Sequence, residues 1–331
     1  MQMNNFSTNP NKTILRRCAM NDQKNIRQTM ICLLAAGAML FTTTAMAQTG
    51  AEKTQAAGTA KVSKEVKNKT REVAGKKRAL VIKEAVTVLA ETKKAIEALD
   101  KKNKQQALDA LAMVTGKLDI VIAREPDLAN APIDVRIDTY DLISSVDTIK
   151  KTVKTAKDLL DDGEVQQARE MLMGLTSEID IIVTSIPLAS YSDGIKAVAK
   201  LVDKEKYQEA KDGLYDLLST LVITKNVIPL PILRAEEMIK KAEKLAAQKN
   251  RTEEQNKQLA GLLSDTRTQL KMAEALGYGN KKEYKTFYSQ LKEIEKKTEG
   301  GKFGTGYTEK LRNALKKFKE KISGMVKKDH I

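Results

Sequence analysis

The sequence predicts an all-α protein: a bundle of repeated helical hairpins followed by a C-terminal helical extension. Three observations carry this. Charged residues make up 31% of the chain and aromatic residues only 4%, with no Trp and few Pro, so helix formers dominate and little interrupts them. Apolar residues recur at steps of three and four over most of the chain, the spacing that lines one helix face. One segment, reading as helix, polar turn and helix, occurs three times.

The elements follow in order. Lys24 and Arg27 precede an apolar run from Met30 to Phe41, and Ala45-Met46-Ala47 then offers a small-x-small cleavage site. Charge, short apolar run and cleavage site in that order describe a secretory signal peptide over residues 1–47, which predicts export, to the periplasm. The run is too short for a stable bilayer span. The piece before Met20 is long for a leader, which makes Met20 a second candidate start. Both cysteines, Cys18 and Cys32, fall in this leader, so the exported chain is expected to have no disulfide. Cys32 lies inside the apolar run and not at a cleavage site, which argues against a lipid anchor. No later apolar stretch is long and uncharged enough to span a bilayer, so the exported chain is expected to be soluble.

Residues 48–77 are rich in Lys, Thr, Ala and Gly and poor in large apolar side chains, which predicts a basic, partly disordered linker. A helix is expected to begin before Lys76 and run through Leu80, Ala85, Val88 and Leu89 toward Leu99.

The repeat comes next. Leu99–Pro126, Leu160–Pro187 and Val202–Pro229 align without gaps. Ala107, Ala168 and Ala210 correspond, as do Leu111, Leu172 and Leu214, then Leu118, Ile179 and Leu221. Each copy closes on a proline: Pro126, Pro187 and Pro229. The small alanine lets the preceding helix approach closely, and the proline is expected to stop the helix, since it lacks an N–H and clashes with the preceding turn. The logic is that of tetratricopeptide helix pairs, but the period is irregular and the Trp- and Tyr-containing consensus is missing. A compact bundle over residues 78–248 is the expectation. Two places read as extended: Ile133, Val135 and Ile137 alternate with polar residues, and the copies end in the β-branched runs DIVI, DIIV and LVIT.

Residues 249–331 continue the longer amphipathic helices that begin near residue 232. Thr252 and Gln255 have capping-box spacing at the start of a helix that runs to Leu276. Gly277-Tyr278-Gly279 breaks it. Tyr284, Phe287, Tyr288, Leu291 and Ile294 mark one face of the next helix, a GGKFGTG loop follows at 300–306, and Leu311, Leu315, Phe318, Ile322 and Met325 mark the last. Residues 78–230 carry a net charge of −4 and residues 231–331 a net of +10.

The turn and A-x3-L helix of KLVDKEKYQEAKDGL, the punctuation Ile186-Pro187-Leu188 and Ile228-Pro229-Leu230, and the extended IDVRIDTYDL segment resemble the bacterial YfdX family of exported helical proteins. The resemblance covers roughly residues 80–248. It implies a periplasmic, non-enzymatic protein connected with stress tolerance, and it brings no catalytic residues. The basic C-terminal region falls outside it.

The residues themselves offer little reactive chemistry. His330 is the one histidine and sits at the end of the chain, where backbone usually frays. Without cysteine beyond the leader, thiol chemistry and soft-metal sites are not expected. Ser and Lys abound, but no spacing singles out a catalytic pair. Asp161-Asp162-Gly163-Glu164 lacks the alternate ligands and closing glutamate of a calcium loop and reads as a hairpin turn. Asp134, Asp138 and Asp141 read as solvated loop carboxylates. GGKFGTG lacks the order of a phosphate loop and has no strand before it. Tyr278, Tyr284, Phe287 and Tyr288 lie among lysines, yet their helical spacing points to packing.

The expected function is therefore interaction without catalysis, cofactor or metal. Grooves between helices suit a protein client or a small apolar ligand. The basic C-terminal region suits an anionic envelope surface instead. No nucleic-acid partner is expected after export, and a homo-oligomer is compatible with these features.

Overall fold

The computed structural model describes residues 50–325, so the segment read as a signal peptide, with Cys18, Met20 and Cys32, and His330 lie outside the described residues. About 71% of the described residues are helical. The helices are α1 (Gly50–Ala60), α2 (Ser63–Arg78), α3 (Lys83–Asp100), α4 (Lys104–Arg124), α5 (Val146–Asp161), α6 (Val165–Met173), α7 (Leu188–Asp203), α8 (Tyr207–Ser219), α9 (Leu230–Ala246), α10 (Glu253–Ala275), α11 (Lys281–Thr298) and α12 (Glu309–Met325).

The fold is not all-α. Strands β1 (Asn130–Tyr140), β2 (Glu178–Pro187) and β3 (Val222–Pro229) form an antiparallel sheet in the order β1-β2-β3. The alternation at Ile133, Val135 and Ile137 becomes β1, as its period requires. The β-branched runs DIIV and LVIT lie in or at the start of β2 and β3, where Ile181 pairs with Ile137 on one side and Asn226 on the other. The third run, DIVI, stays helical, because Val114, Leu118 and Val121 of α4 carry a helix-spaced stripe into a helical core. Aligned Leu118 and Ile179 are therefore in different secondary structure. The prolines are corrected with them. Pro126 follows α4, but Pro187 and Pro229 end strands and stand at the N-caps of α7 and α9. There a missing N–H is harmless, since the first turn of a helix leaves its N–H groups without a helical partner.

The segment expected to be partly disordered is ordered from residue 50 as α1 and α2. Few apolar side chains suffice: Val62, Val66 and Ala74 are buried, and α2 packs on α9 and β1. Helix-forming Ala, Lys and Glu supply the rest.

Helices pack first with their chain neighbours: α3 with α4, α5 with α6, α7 with α8. The three turns are alike. Lys102, Gly163 and Glu205, at one aligned position, all have positive φ, at 53°, 80° and 60°. In each, the next N–H reaches back to a helical carbonyl: Asn103 to Ala98, Glu164 to Leu159 and Lys206 to Leu201. This is the Schellman closure of a helix C-terminus. It makes Asp161-Asp162-Gly163-Glu164 a hairpin turn.

Two cores result. One is a four-helix arrangement in which α4 packs on α7 and α3 on α8. It buries Val88, Leu111, Leu118, Ile195 and Leu214, with Ala131, Ile133 and Ile186 entering from the strands. The other joins α2, the sheet and α9–α12 through Val135, Ile179, Met238, Leu270, Phe287 and Phe318. The boundary expected near residue 248 thus passes through a shared core. Edge-to-face contacts of Phe318 with Tyr284 (5.7 Å) and Phe287 (5.3 Å) join α11 to α12. Thr252 and Gln255 form the capping box expected of them, and Asn280 with Glu283 forms a second.

A buried polar cluster fastens this second core to the sheet. The Tyr278 hydroxyl donates to Glu178 (2.7 Å) and accepts from the Ser177 N–H (3.1 Å). Burial, reinforced by the Glu178 carboxylate, pushes that hydroxyl far above the ordinary tyrosine range. Lys225 bridges Asp180 (2.7 Å) and Glu178 (3.3 Å). Of the three acids read as loop carboxylates, Asp134 and Asp138 lie instead in β1, where Asp138 pairs with Arg136, and Asp141 follows the strand and pairs with Arg234. The GGKFGTG loop is tied down by Arg251, which donates to the Lys302 carbonyl, and by Gly304, whose N–H bonds the Ala246 carbonyl.

Candidate interaction surface

The α5–α6 hairpin differs from its two counterparts in what covers it. Ser145 caps α5, its hydroxyl accepting from the Thr148 N–H at 3.0 Å. One stripe on α5 carries Ile149, Val153, Ala156 and Leu160; one on α6 carries Val165, Ala168 and Leu172. The spacing is that of the other pairs. Ala156 and Ala168 are buried, so the hairpin closes along its small residues, and Ile149 is buried with them. Most of the large ones stay in solvent.

The aligned leucines make the contrast. Leu111 is 2% exposed and Leu214 is 0%, while Leu172 is 44%. The same holds around it: Val153, Leu160, Val165 and Met171 are exposed, and Met173 reaches 66%. Ala107, Ala168 and Ala210 are buried alike, so the backbones approach similarly in all three pairs. The cause is arithmetic. The first and third pairs cover one another in the four-helix core. The middle pair is left over, and its main helical partner outside the hairpin is α10, against α5. The outcome is a hairpin face of aliphatic and methionine side chains, continued by exposed Tyr140 and Ile143 at the end of β1. Isolated exposed apolar residues are common on surfaces; here several fall on one hairpin.

The flexible thioether of methionine adapts to irregular partners, which suits a face that meets more than one sequence. Acidic groups gather at the tip, at Asp158, Asp161, Asp162 and Glu164, and lysines lie along α5 at Lys150, Lys151, Lys154 and Lys157. Sequence reasoning places Ala168 and Leu172 on one stripe but gives Leu172 the same standing as Leu111 and Leu214. Pro126, Pro187 and Pro229 mark element boundaries and line no site.

A second concave place lies in the C-terminal extension. Between α10 and α11 a groove of about 820 Å³ is floored by Leu259 and Leu263. Arg267 bonds both carboxylate oxygens of Glu295 across it, at 2.9 and 2.8 Å.

Among the described residues no group of three metal-ligating side chains occurs, and no helix is long and apolar enough to cross a membrane.

Comparison with known proteins places the hairpin. Residues 88–227 match the family described as YfdX protein, a span from within α3 to near the end of β3 that contains α5 and α6. Among solved structures the chain is similar to YfdX of Salmonella Typhi, with 15% identity over 45% of this chain and 93% of that one, and a TM-score of 0.32. No curated protein matches it. The α10–α11 groove lies outside the matched span. The match to the YfdX family thus rests on residues 88–227.

Proposed function

We propose that this chain is an exported, non-enzymatic interaction protein whose YfdX domain receives an apolar, helix-forming segment of a protein client on the open face of α5–α6. The observation that carries the reading is the exposure of Leu172 against the burial of Leu111 and Leu214 at the aligned positions. What covers those two leucines is another helix pair. The surface that would complete the middle pair is therefore a helix with apolar residues at steps of three and four, the helix-in-groove mode of recognition. A stress-related role fits a protein that engages segments exposed when other proteins unfold.

Calorimetric titration with a reduced and alkylated, permanently unfolded protein tests this. Heat of binding with a negative heat-capacity change is expected, because apolar surface is buried. The double variant Leu172→Asp, Met173→Asp is expected to fold, since water already reaches both side chains, and to lose the binding. No heat at any ratio overturns the proposal.

A second reading rests on the lysines of the extension. Lys281, Lys282, Lys285, Lys310, Lys316 and Lys317 are exposed and form no salt bridge among the described residues. They give α11 and α12 a basic surface suited to anionic envelope components. Sedimentation with anionic vesicles that salt reverses is the expected result; retention unchanged by charge reversal at these six lysines contradicts it.

A further inference from the structure

We infer that the cavity between α2, the end of β1 and the start of α9 is a binding site for a small anion carrying an apolar body, such as an organic phosphate monoester. The cavity is independent of the α5–α6 face and encloses about 370 Å³, within the range of small-molecule sites.

Its centre is Arg234. The residue is 4% exposed and lines the cavity. A guanidinium has five N–H donors and needs acceptors for them when removed from water. Arg234 makes one side-chain hydrogen bond, from Nη2 to Asp141 Oδ2 at 2.6 Å. Its remaining donors have no acceptor among the described residues, although none is sealed from the cavity. Its charge is met by Asp141, but spare donors on so buried a side chain favour an added acceptor. An anion in the cavity supplies what is missing, and the planar fork of arginine matches phosphate or carboxylate geometry.

The surroundings agree. Lys67 and Arg71, one turn apart on α2, line the same cavity and pair with no carboxylate among the described residues. Asp141 is the single acidic side chain in the described lining. Two positive charges thus remain uncompensated there. Hydroxyls of Thr59, Ser63, Thr70 and Thr139 add hydrogen-bonding capacity. The α2 N-terminus opens here without a side-chain cap, since Val62 occupies the N-cap, and its positive dipole end favours an anion. Val66 and Leu230 give the apolar wall. A bare inorganic ion leaves that wall unused and the cavity mostly unfilled, which is why the ligand is assigned a body as well as a charge.

The test titrates the full exported chain with phenyl phosphate, inorganic phosphate and phenol. Phenyl phosphate is expected to bind and to raise the melting temperature, since a ligand of the native state alone stabilises it. Inorganic phosphate is expected to bind at least tenfold more weakly, and phenol not at all. The double variant Lys67→Gln, Arg71→Gln changes two exposed side chains, so its fold is expected to persist while phenyl phosphate affinity falls at least tenfold. Arg234→Gln provides a second variant that removes the central donor. Vesicles containing phosphatidic acid separate the sources. If they compete with phenyl phosphate, a lipid headgroup supplies the natural anion; if they do not, a free phosphate ester does. Absence of phenyl phosphate binding at millimolar concentration, or unchanged affinity in the double variant, overturns the inference. Neither result bears on Leu172, so failure here leaves the client proposal standing.

Discussion

Truncating the aligned leucines separates a covered helix face from an open one. Leu111→Ala and Leu214→Ala remove side chains that are completely enclosed. The loss combines transfer of the missing methyl groups with the cavity left behind, about 2–5 kcal/mol for such sites. Leu172→Ala is different. Burying a leucine side chain is worth about 2–3 kcal/mol, and Leu172 hides only a little over half of its surface from water. Water already reaches the site, so no sealed void forms. The expected loss is about 1 kcal/mol. Urea denaturation followed by far-UV circular dichroism measures all three, with unchanged slopes showing that only stability has moved. If Leu172→Ala costs as much as Leu111→Ala, the middle hairpin is covered in the free protein and the argument for an open client site fails. If all three cost about 1 kcal/mol, the four-helix core is not formed as described.

Three further outcomes follow from the same structure. Lys102 and Glu205 occupy left-handed backbone that glycine adopts without a Cβ penalty, so Lys102→Gly or Glu205→Gly is expected to stabilise by about 1 kcal/mol, and Gly163→Ala to destabilise by a similar amount, in thermal melts. Tyr278→Phe leaves the Ser177 N–H and the Glu178 carboxylate short of a partner, which is expected to cost about 1–3 kcal/mol and to loosen the extension from the sheet in limited proteolysis. Burial pushes the Glu236 carboxyl up, but Lys319 and Lys240 outweigh it and hold it below its ordinary value of 4.5. A folded-state value lowered in this way contributes stability that is present above about pH 4.5 and lost as pH falls through the lower folded value. Glu236→Gln is expected to flatten that part of the stability–pH curve.

The helices are legible wherever a stripe of large apolar residues keeps one period. α3, α4 and the segments from α9 to α12 declare themselves in this way, and Thr252 with Gln255 marks its helix start by side-chain chemistry alone. β1 is legible because Ile133, Val135 and Ile137 alternate. β2 and β3 are harder. A run such as Ile181 to Val183 is apolar on both faces and too short to carry a period, so its pairing with β1 decides the outcome. Its aligned counterpart at Asp119 to Ile122 remains helical because the four-helix core claims it. α1 and α2 are hard to read for the opposite reason: with so few large side chains, two valines and an alanine decide whether the segment docks.

The candidate sites are less legible than the fold. Leu172 stands in a stripe no different from those of Leu111 and Leu214. Its exposure depends on three being an odd number, so that two helix pairs shield each other and one goes without. The cavity at Arg234 draws on residues as distant in sequence as Thr59, Thr139 and Arg234, which no local pattern connects. Lys67 and Arg71 sit in a segment whose composition suggests only a basic linker.

Client segments are proposed to settle on α5 and α6, and hydrogen–deuterium exchange of the chain with and without an unfolded client locates them. Slowed exchange confined to residues 146–173 and the adjoining end of β1 is the predicted result. Protection that leaves this hairpin unchanged and falls on α11 and α12 would contradict it.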